Sequence, residues 1–168
     1  MAGIAVFRLV EERRAWRKNH PFGFVAKPAR DTDGTLNLFK WICAVPGKKG
    51  TIWEGGLYKI HIYFNDAYPS TPPICKFDPP VYHPNVSYTG RICLSILYED
   101  QGWKPAISLK EVLIGIHDFL DDPNPNDPAQ DDASLVYVRN RAAYEERVRR
   151  DARTIFRPDR VLAQMMDE

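Results

Sequence analysis

The segment Tyr68 to Asn85, YPSTPPICKFDPPVYHPN, constrains this chain more than any other, because six of its fourteen prolines fall there. Proline fixes φ and lacks an N–H, so neither a helix nor a long central strand can run through such a segment. A rigid, irregular path must do so, with only the short strand ICKF between two proline clusters. The aromatic before Pro69 makes Tyr68–Pro69 a candidate for a cis peptide.

The flanks are regular. Residues 1–18 have helical spacing, with Ala2, Ala5, Leu9 and Trp16 on one side. Arg13, Arg14, Arg17 and Lys18 gather on the other, toward the C-terminal end, where cations suit the helix dipole. His20-Pro21 ends that helix. FGFVAKP, LNLFKWICAV, LYKIHIYF and ICKF then read as strands, and their short, Gly-rich links predict an antiparallel meander. Downstream, Ser108 and Glu111 form a capping box, followed by Val112, Leu113, Ile116, Phe119 and Leu120 on one helical face. Two further helices are expected over Asp131–Arg139 and Asn140–Phe156.

No repeat, linker or shift in composition divides these elements. The order predicts one α+β domain over residues 1–157: an N-terminal helix, a four-stranded antiparallel sheet, an active-loop region and three helices. Residues 158–168 are expected to be a frayed tail, although Val161, Leu162, Met165 and Met166 offer apolar groups for docking.

A net charge of +1 gives no reason to expect a nucleic acid or membrane partner. The first twenty residues become charged too early for a secretory signal, which points to an intracellular setting. Three cysteines, Cys43, Cys75 and Cys93, without CxxC spacing, speak against a disulfide framework or structural zinc. Cys43 and Cys75 lie in strand-like runs and read as small buried hydrophobes. Cys93 follows Gly90 in HPNVSYTGRICLSIL, which favours exposure and chemistry. Around it no local histidine–carboxylate pattern marks a hydrolase nucleophile.

HPNV…GRICLSIL, the run Trp103-Lys104-Pro105-Ala106 and YPSTPP, in this order and spacing, resemble the ubiquitin-conjugating-enzyme family. The resemblance extends from Ile4 to about Phe156 and is closest to the SUMO-conjugating branch. The basic loop PGKKGTIWEGG, Ser95 where ubiquitin carriers usually have Asp, and the longer link YEDQGW favour that branch. The resemblance implies that Cys93 accepts the C-terminal glycine of SUMO as a thioester from an activating enzyme. A substrate lysine then attacks to form an isopeptide bond. The incoming group is already activated, so the thiol needs no neighbouring base, and a base there would activate water against the thioester.

The resemblance also implies site residues. Asn85 is placed to donate its amide to the oxyanion, while its alternative role is to brace its own loop. Asp127 would orient the incoming lysine while apolar walls depress that lysine's pKa from about 10.4; its alternative is a loop or cap residue before Pro128. Arg13, Arg14, Arg17 and His20 match the surface for non-covalent SUMO and the activating enzyme. Lys76, Tyr88, Thr89 and Arg91 lie in the strip that reads a hydrophobic–Lys–x–Glu substrate motif. That strip departs from the family pattern: Ile74 replaces a usual lysine, Arg91 a threonine and Ser134 an aromatic, while the usual VYPSG is Val86-Ser87-Tyr88-Thr89-Gly90. Arg91, joined by Lys76, is the candidate to restore the lost charge, with Tyr88 standing in for the shifted aromatic.

Neither a bound cofactor nor a metal is expected, since ATP is consumed upstream and the chain has no Gly-rich phosphate loop. Implied partners are SUMO, its activating enzyme, SUMO ligases and lysine-bearing substrates; a monomer in nucleus and cytoplasm is expected. Three readings compete with this one: a carrier of ubiquitin or another modifier, a non-catalytic binding module, and a cysteine hydrolase. The last requires His61, His83 or His117 beside Cys93.

Overall fold

The computed structural model describes residues 2–168; Met1 and the side chain of Ala2 lie outside the described residues. Helix α1 (Ala2–Lys18) leads into strands β1 (Val25–Arg30), β2 (Leu36–Pro46), β3 (Leu57–Tyr63) and β4 (Ile74–Phe77). These pair as an antiparallel meander in chain order. The first strand is shorter than its sequence suggests: Gly23 takes φ +85° and Phe22 is exposed, so pairing starts at Val25. Pro28 sits in this edge strand at a register shift, where a missing N–H costs least.

Register sorts the side chains by face. Trp41, Cys43 and Val45 of β2, Ile60 and Ile62 of β3, and Cys75 and Phe77 of β4 join the main core with Leu9 and Trp16 of α1. The same core takes Val112, Leu113 and Ile116 from α2 (Leu109–Leu120). The capping box forms as expected, with the Glu111 N–H donating to Ser108 Oγ at 3.1 Å. Glu12, buried on α1, accepts from the Leu109 N–H at 3.0 Å and from Arg8 Nε at 3.1 Å. Arg8 continues to the carbonyls of Pro105 and Ile107, so one ion pair pins α1 to the start of α2.

Helices α3 (Asp131–Arg139) and α4 (Arg141–Arg153) follow, divided at Asn140, whose side chain accepts from the Ala143 N–H. A fourth helix after the active loop then corrects the expectation of three and of a frayed tail. Residues Pro158–Met166 form α5, which buries Val161 and Met165 against Ala29, Ile42, Ala44 and Leu57 on the outer sheet face. Lys27 Nζ donates to the Met165 carbonyl at 2.8 Å, and Lys59 Nζ pairs with the Glu168 carboxylate at 3.1 Å. Beyond apolar contact, these two links hold the end of the chain down.

Candidate active site

The proline-rich segment delivers Asn85 and Cys93 to one place. Tyr68–Pro69 is cis, and so is Asp78–Pro79. Past them, His83 is fully buried and fixed by both ring nitrogens. Its Nδ1 accepts the Asn85 N–H at 3.0 Å, which leaves Nε2–H to donate to the Phe119 carbonyl at 3.0 Å. Burial pushes its pKa down to about 4, against the opposing pull of hydrogen bonds to the Phe119 and Leu120 carbonyls.

Residues 86–92 form a tight hairpin, with Val86 paired to Ile92 and the Ser87 N–H donating to the Arg91 carbonyl at 2.9 Å. Gly90 is required here. It takes φ +93°, and a Cβ would meet the Phe77 carbonyl oxygen at 2.1 Å. Ile92 enters the core, so its neighbours Arg91 and Cys93 turn outward together. The Cys93 N–H donates to the Asn85 carbonyl at 3.0 Å, and its Sγ lies 3.9 Å from the Arg91 carbonyl oxygen. The thiol is half-buried, whereas Cys43 and Cys75 are buried in the core. Burial pushes both of those thiols up, Cys43 well above its ordinary value.

Asn85 reaches the other wall of the site. Its Nδ2 donates to the carbonyls of Asn124 at 2.9 Å and Asp127 at 3.0 Å, and its Oδ1 accepts the Asn124 N–H at 2.7 Å. These partners fix the amide orientation, since a flip would set NH₂ against N–H and oxygen against two carbonyls. Both amide hydrogens are spent. The expected oxyanion donor is therefore a brace in this structure. Asp127 keeps its main chain in that brace while its side chain is exposed at the rim.

The strip expected to read the substrate motif is partly assembled. Lys76 and Arg91 pair across the β4 edge and share a face, and among the described residues neither has an acidic partner. Thr89 Oγ1 hydrogen-bonds Ser87 Oγ within the hairpin. Tyr88 swings instead toward α3, its hydroxyl accepting the Asp132 N–H at 3.4 Å. Ser134 is buried and donates to the Pro125 carbonyl, bracing the same loop as Asn85.

The basic cluster on α1 is divided. Arg14 pairs with Glu11 at 2.6 Å, and His20 stacks on Trp16 with Nδ1 2.9 Å from the Trp16 carbonyl oxygen. Arg13 and Arg17 line two grooves, one of about 380 Å³ shared with Arg14, Val10, Leu36 and Leu38, the other of about 310 Å³ with Lys27 and Arg30. Lys27 and Arg30 escaped the sequence reading; their signal was their position on the edge strand beside α1. Tyr98 escaped it too. It follows the single turn Ser95–Leu97, and the Arg91 guanidinium stands 6.0 Å over its ring.

Among the described residues no histidine is hydrogen-bonded to Cys93. His61 lies on the outer sheet face, 3.3 Å from a Glu168 carboxylate oxygen, and His117 packs edge-on against Phe24. The site is thus an outward thiol without a base, between a cationic strip and an exposed carboxylate.

The sequence matches the ubiquitin-conjugating enzyme family over residues 8–152. Among curated proteins, it is 60% identical over 152 residues to SUMO-conjugating enzyme UBC9 of Caenorhabditis elegans, covering 90% of this chain and 92% of that protein. It is 54% identical over 148 residues to SUMO-conjugating enzyme SCE1 of Arabidopsis thaliana, covering 88% and 92% respectively.

The neutral His83 makes stability depend on pH. Its folded pKa, about 4, lies below the unfolded value near 6.5, so its contribution is full above pH 6.5 and is lost as pH falls toward 4. The full shift corresponds to about 3 kcal/mol. His61 and His117, both lowered chiefly by burial, act in the same direction. Urea unfolding between pH 7 and 4.5 should show this fall, with a shallower slope in His83→Gln; identical slopes would contradict the assignment.

Proposed function

The chain belongs to the ubiquitin-conjugating enzyme family, and from that premise we propose that it carries SUMO as a thioester on Cys93 and transfers it to substrate lysines. The observation that carries this reading is the outward Cys93 thiol, held by main-chain contacts and, among the described residues, with no histidine or carboxylate hydrogen-bonded to it. Such a thiol suits exchange with an already activated acyl group and leaves water unactivated. The two relatives, both SUMO-conjugating enzymes by name, favour SUMO over ubiquitin as the modifier.

Transfer asks two things of the site. The lysine must approach as a neutral amine, although its ordinary pKa is about 10.4. Desolvation by the loop walls lowers that pKa, while the exposed Asp127 carboxylate orients the amine at the rim. The bond from lysine nitrogen to the thioester carbon then forms as the carbon–sulfur bond breaks, releasing the Cys93 thiolate. No metal or organic cofactor enters this exchange; the free energy comes from ATP spent by the activating enzyme.

The partners we assign are SUMO, the activating enzyme, SUMO ligases and lysine-bearing substrates, met by a monomer in nucleus and cytoplasm. Arg13, Arg14 and Arg17, extended by Lys27 and Arg30, offer the cationic surface for an acidic ubiquitin-like protein or activating enzyme, with His20 at its margin. Arg91 and Lys76 receive the acidic residue of a hydrophobic–Lys–x–Glu motif, the Arg fork replacing the charge lost at Ile74.

Purified protein, ATP and matched activating enzymes for SUMO or ubiquitin provide the direct test. A reductant-sensitive adduct with SUMO alone, absent in Cys93→Ala, is expected. A ubiquitin adduct would overturn the modifier, and no adduct with either would favour a binding module. In peptide transfer, Arg91→Thr should abolish the preference for Glu over Ala in the motif; unchanged discrimination would contradict the Arg91 assignment.

A further inference from the structure

Strand β3 alternates, and Leu57, Lys59, His61 and Tyr63 fall on its outer face, where α5 packs against Leu57. Lys59 and His61 are both buried there, His61 to 9% exposure. Lys59 has partners: its Nζ lies 3.1 and 3.2 Å from the two Glu168 carboxylate oxygens and 3.8 Å from Asp78 Oδ2. His61 lacks one at Nε2, which is buried and, among the described residues, makes no hydrogen bond. Buried polar atoms are paired in the great majority of cases, so this nitrogen points to a ligand.

What it faces is acidic. Nε2 stands 3.3 Å from Glu168 Oε1 and 3.7 Å from Asp78 Oδ2, and one donor atom from each of the three residues lies within 4.8 Å of the others. Donors around a tetrahedral zinc, each at about 2.0–2.2 Å from the metal, stand about 3.4 Å apart. The main chain fixes two of the three. His61 is paired with Lys76 in the sheet, and the Asp78 N–H donates to the Lys59 carbonyl at 3.1 Å. His61 Nδ1 lies 3.5 Å from the Tyr63 hydroxyl. A proton on Nδ1 donates there and leaves the Nε2 lone pair toward the carboxylates. Burial, against the pull of Glu168 and Asp78, lowers the His61 pKa and keeps the ring neutral.

We propose that His61, Asp78 and Glu168 bind a zinc ion that clips the end of the chain to strands β3 and β4. Lys59 does not complete the cluster, since one ammonium against two carboxylates leaves a negative charge beside the imidazole. A carboxylate has about four acceptor sites, so Glu168 can face Lys59 and the metal together. One imidazole with two carboxylates suits zinc better than magnesium or calcium, which take oxygen ligands. Asp78 and Glu168 are exposed, which gives the ion a path in and a water the fourth position. The cysteine spacing speaks against a cysteine-held zinc, and this site uses no cysteine. Its effect is mechanical: Glu168 follows α5, so the metal would hold that helix on the sheet, apart from the exchange at Cys93.

The test is a calorimetric titration of chelator-stripped protein with zinc chloride. Every arm carries Cys93→Ser, so that the reactive thiol takes no metal. One zinc per chain at micromolar concentration is expected, with the melting temperature rising at least about 5 °C at a hundredfold excess over Kd. His61→Gln and Glu168→Ala should each weaken binding at least about tenfold. Glu168→Ala lies at the surface and spares the core, so the test survives if His61→Gln fails to fold. Zinc should also slow amide exchange over residues 158–168, but not in Glu168→Ala. Uptake unchanged in the variants would mean an adventitious ion only and would overturn the proposal. So would uptake confined to millimolar zinc, or calcium bound as tightly as zinc, which would make the cluster a carboxylate pair without the imidazole. Binding lost in His61→Gln but kept in Glu168→Ala would overturn the clip.

Discussion

The site depends on the side chain of Asn85. Three hydrogen bonds from one amide join the loop before Cys93 to residues 124–127, some forty positions later, and the Asn85 carbonyl receives the Cys93 N–H. The Ala129 and Gln130 N–H groups, both donating to the Pro84 carbonyl, hold the same loop from its far side, and Asn85 alone reaches the Asp127 carbonyl. The brace in turn depends on His83, buried and neutral, which seats the Asn85 N–H and anchors it to the end of α2. The prolines limit the paths by which the segment can reach this point. A rigid support thus carries a thiol that is itself simply held.

That division explains why the surroundings of Cys93 look sparse. A hydrolase needs a base to generate its nucleophile, whereas a carrier must keep water inactive while its thioester waits. The charged groups here are placed to the side: Lys76 and Arg91 along one strip, Asp127 at the rim, Arg13 and Arg17 on the distant α1 surface. Each can attract or orient a partner by charge without polarising a water against the acyl group.

Much of this was legible in sequence. Strand alternation, the Ser108–Glu111 capping box and the proline clusters gave the meander, α2 and the irregular loop because each rests on a local rule. Cys93 and Asn85 were legible through motif order. What Asn85 does was not, because its partners at 124 and 127 are set by tertiary folding. Tyr98 was hidden for the same reason: its link YEDQGW reads as an ordinary polar turn until the Ser95–Leu97 turn folds it back. The tail is different, for the signs were present. Pro158 suits a first helical position, and Val161 and Met165 are four apart. Opposite them, the unbroken buried run Trp41–Val45 marks a strand covered on both faces, and α5 is the second cover.

The most direct test of the account is amide hydrogen exchange over residues 120–130 in the unaltered protein and in Asn85→Ala. If Asn85 is a brace, the substitution should increase exchange at the Asn124 N–H, whose acceptor is Asn85 Oδ1, and across the loop, while Cys93 still loads. Unchanged exchange together with a collapse of lysine transfer would contradict it, and would return the amide to the oxyanion.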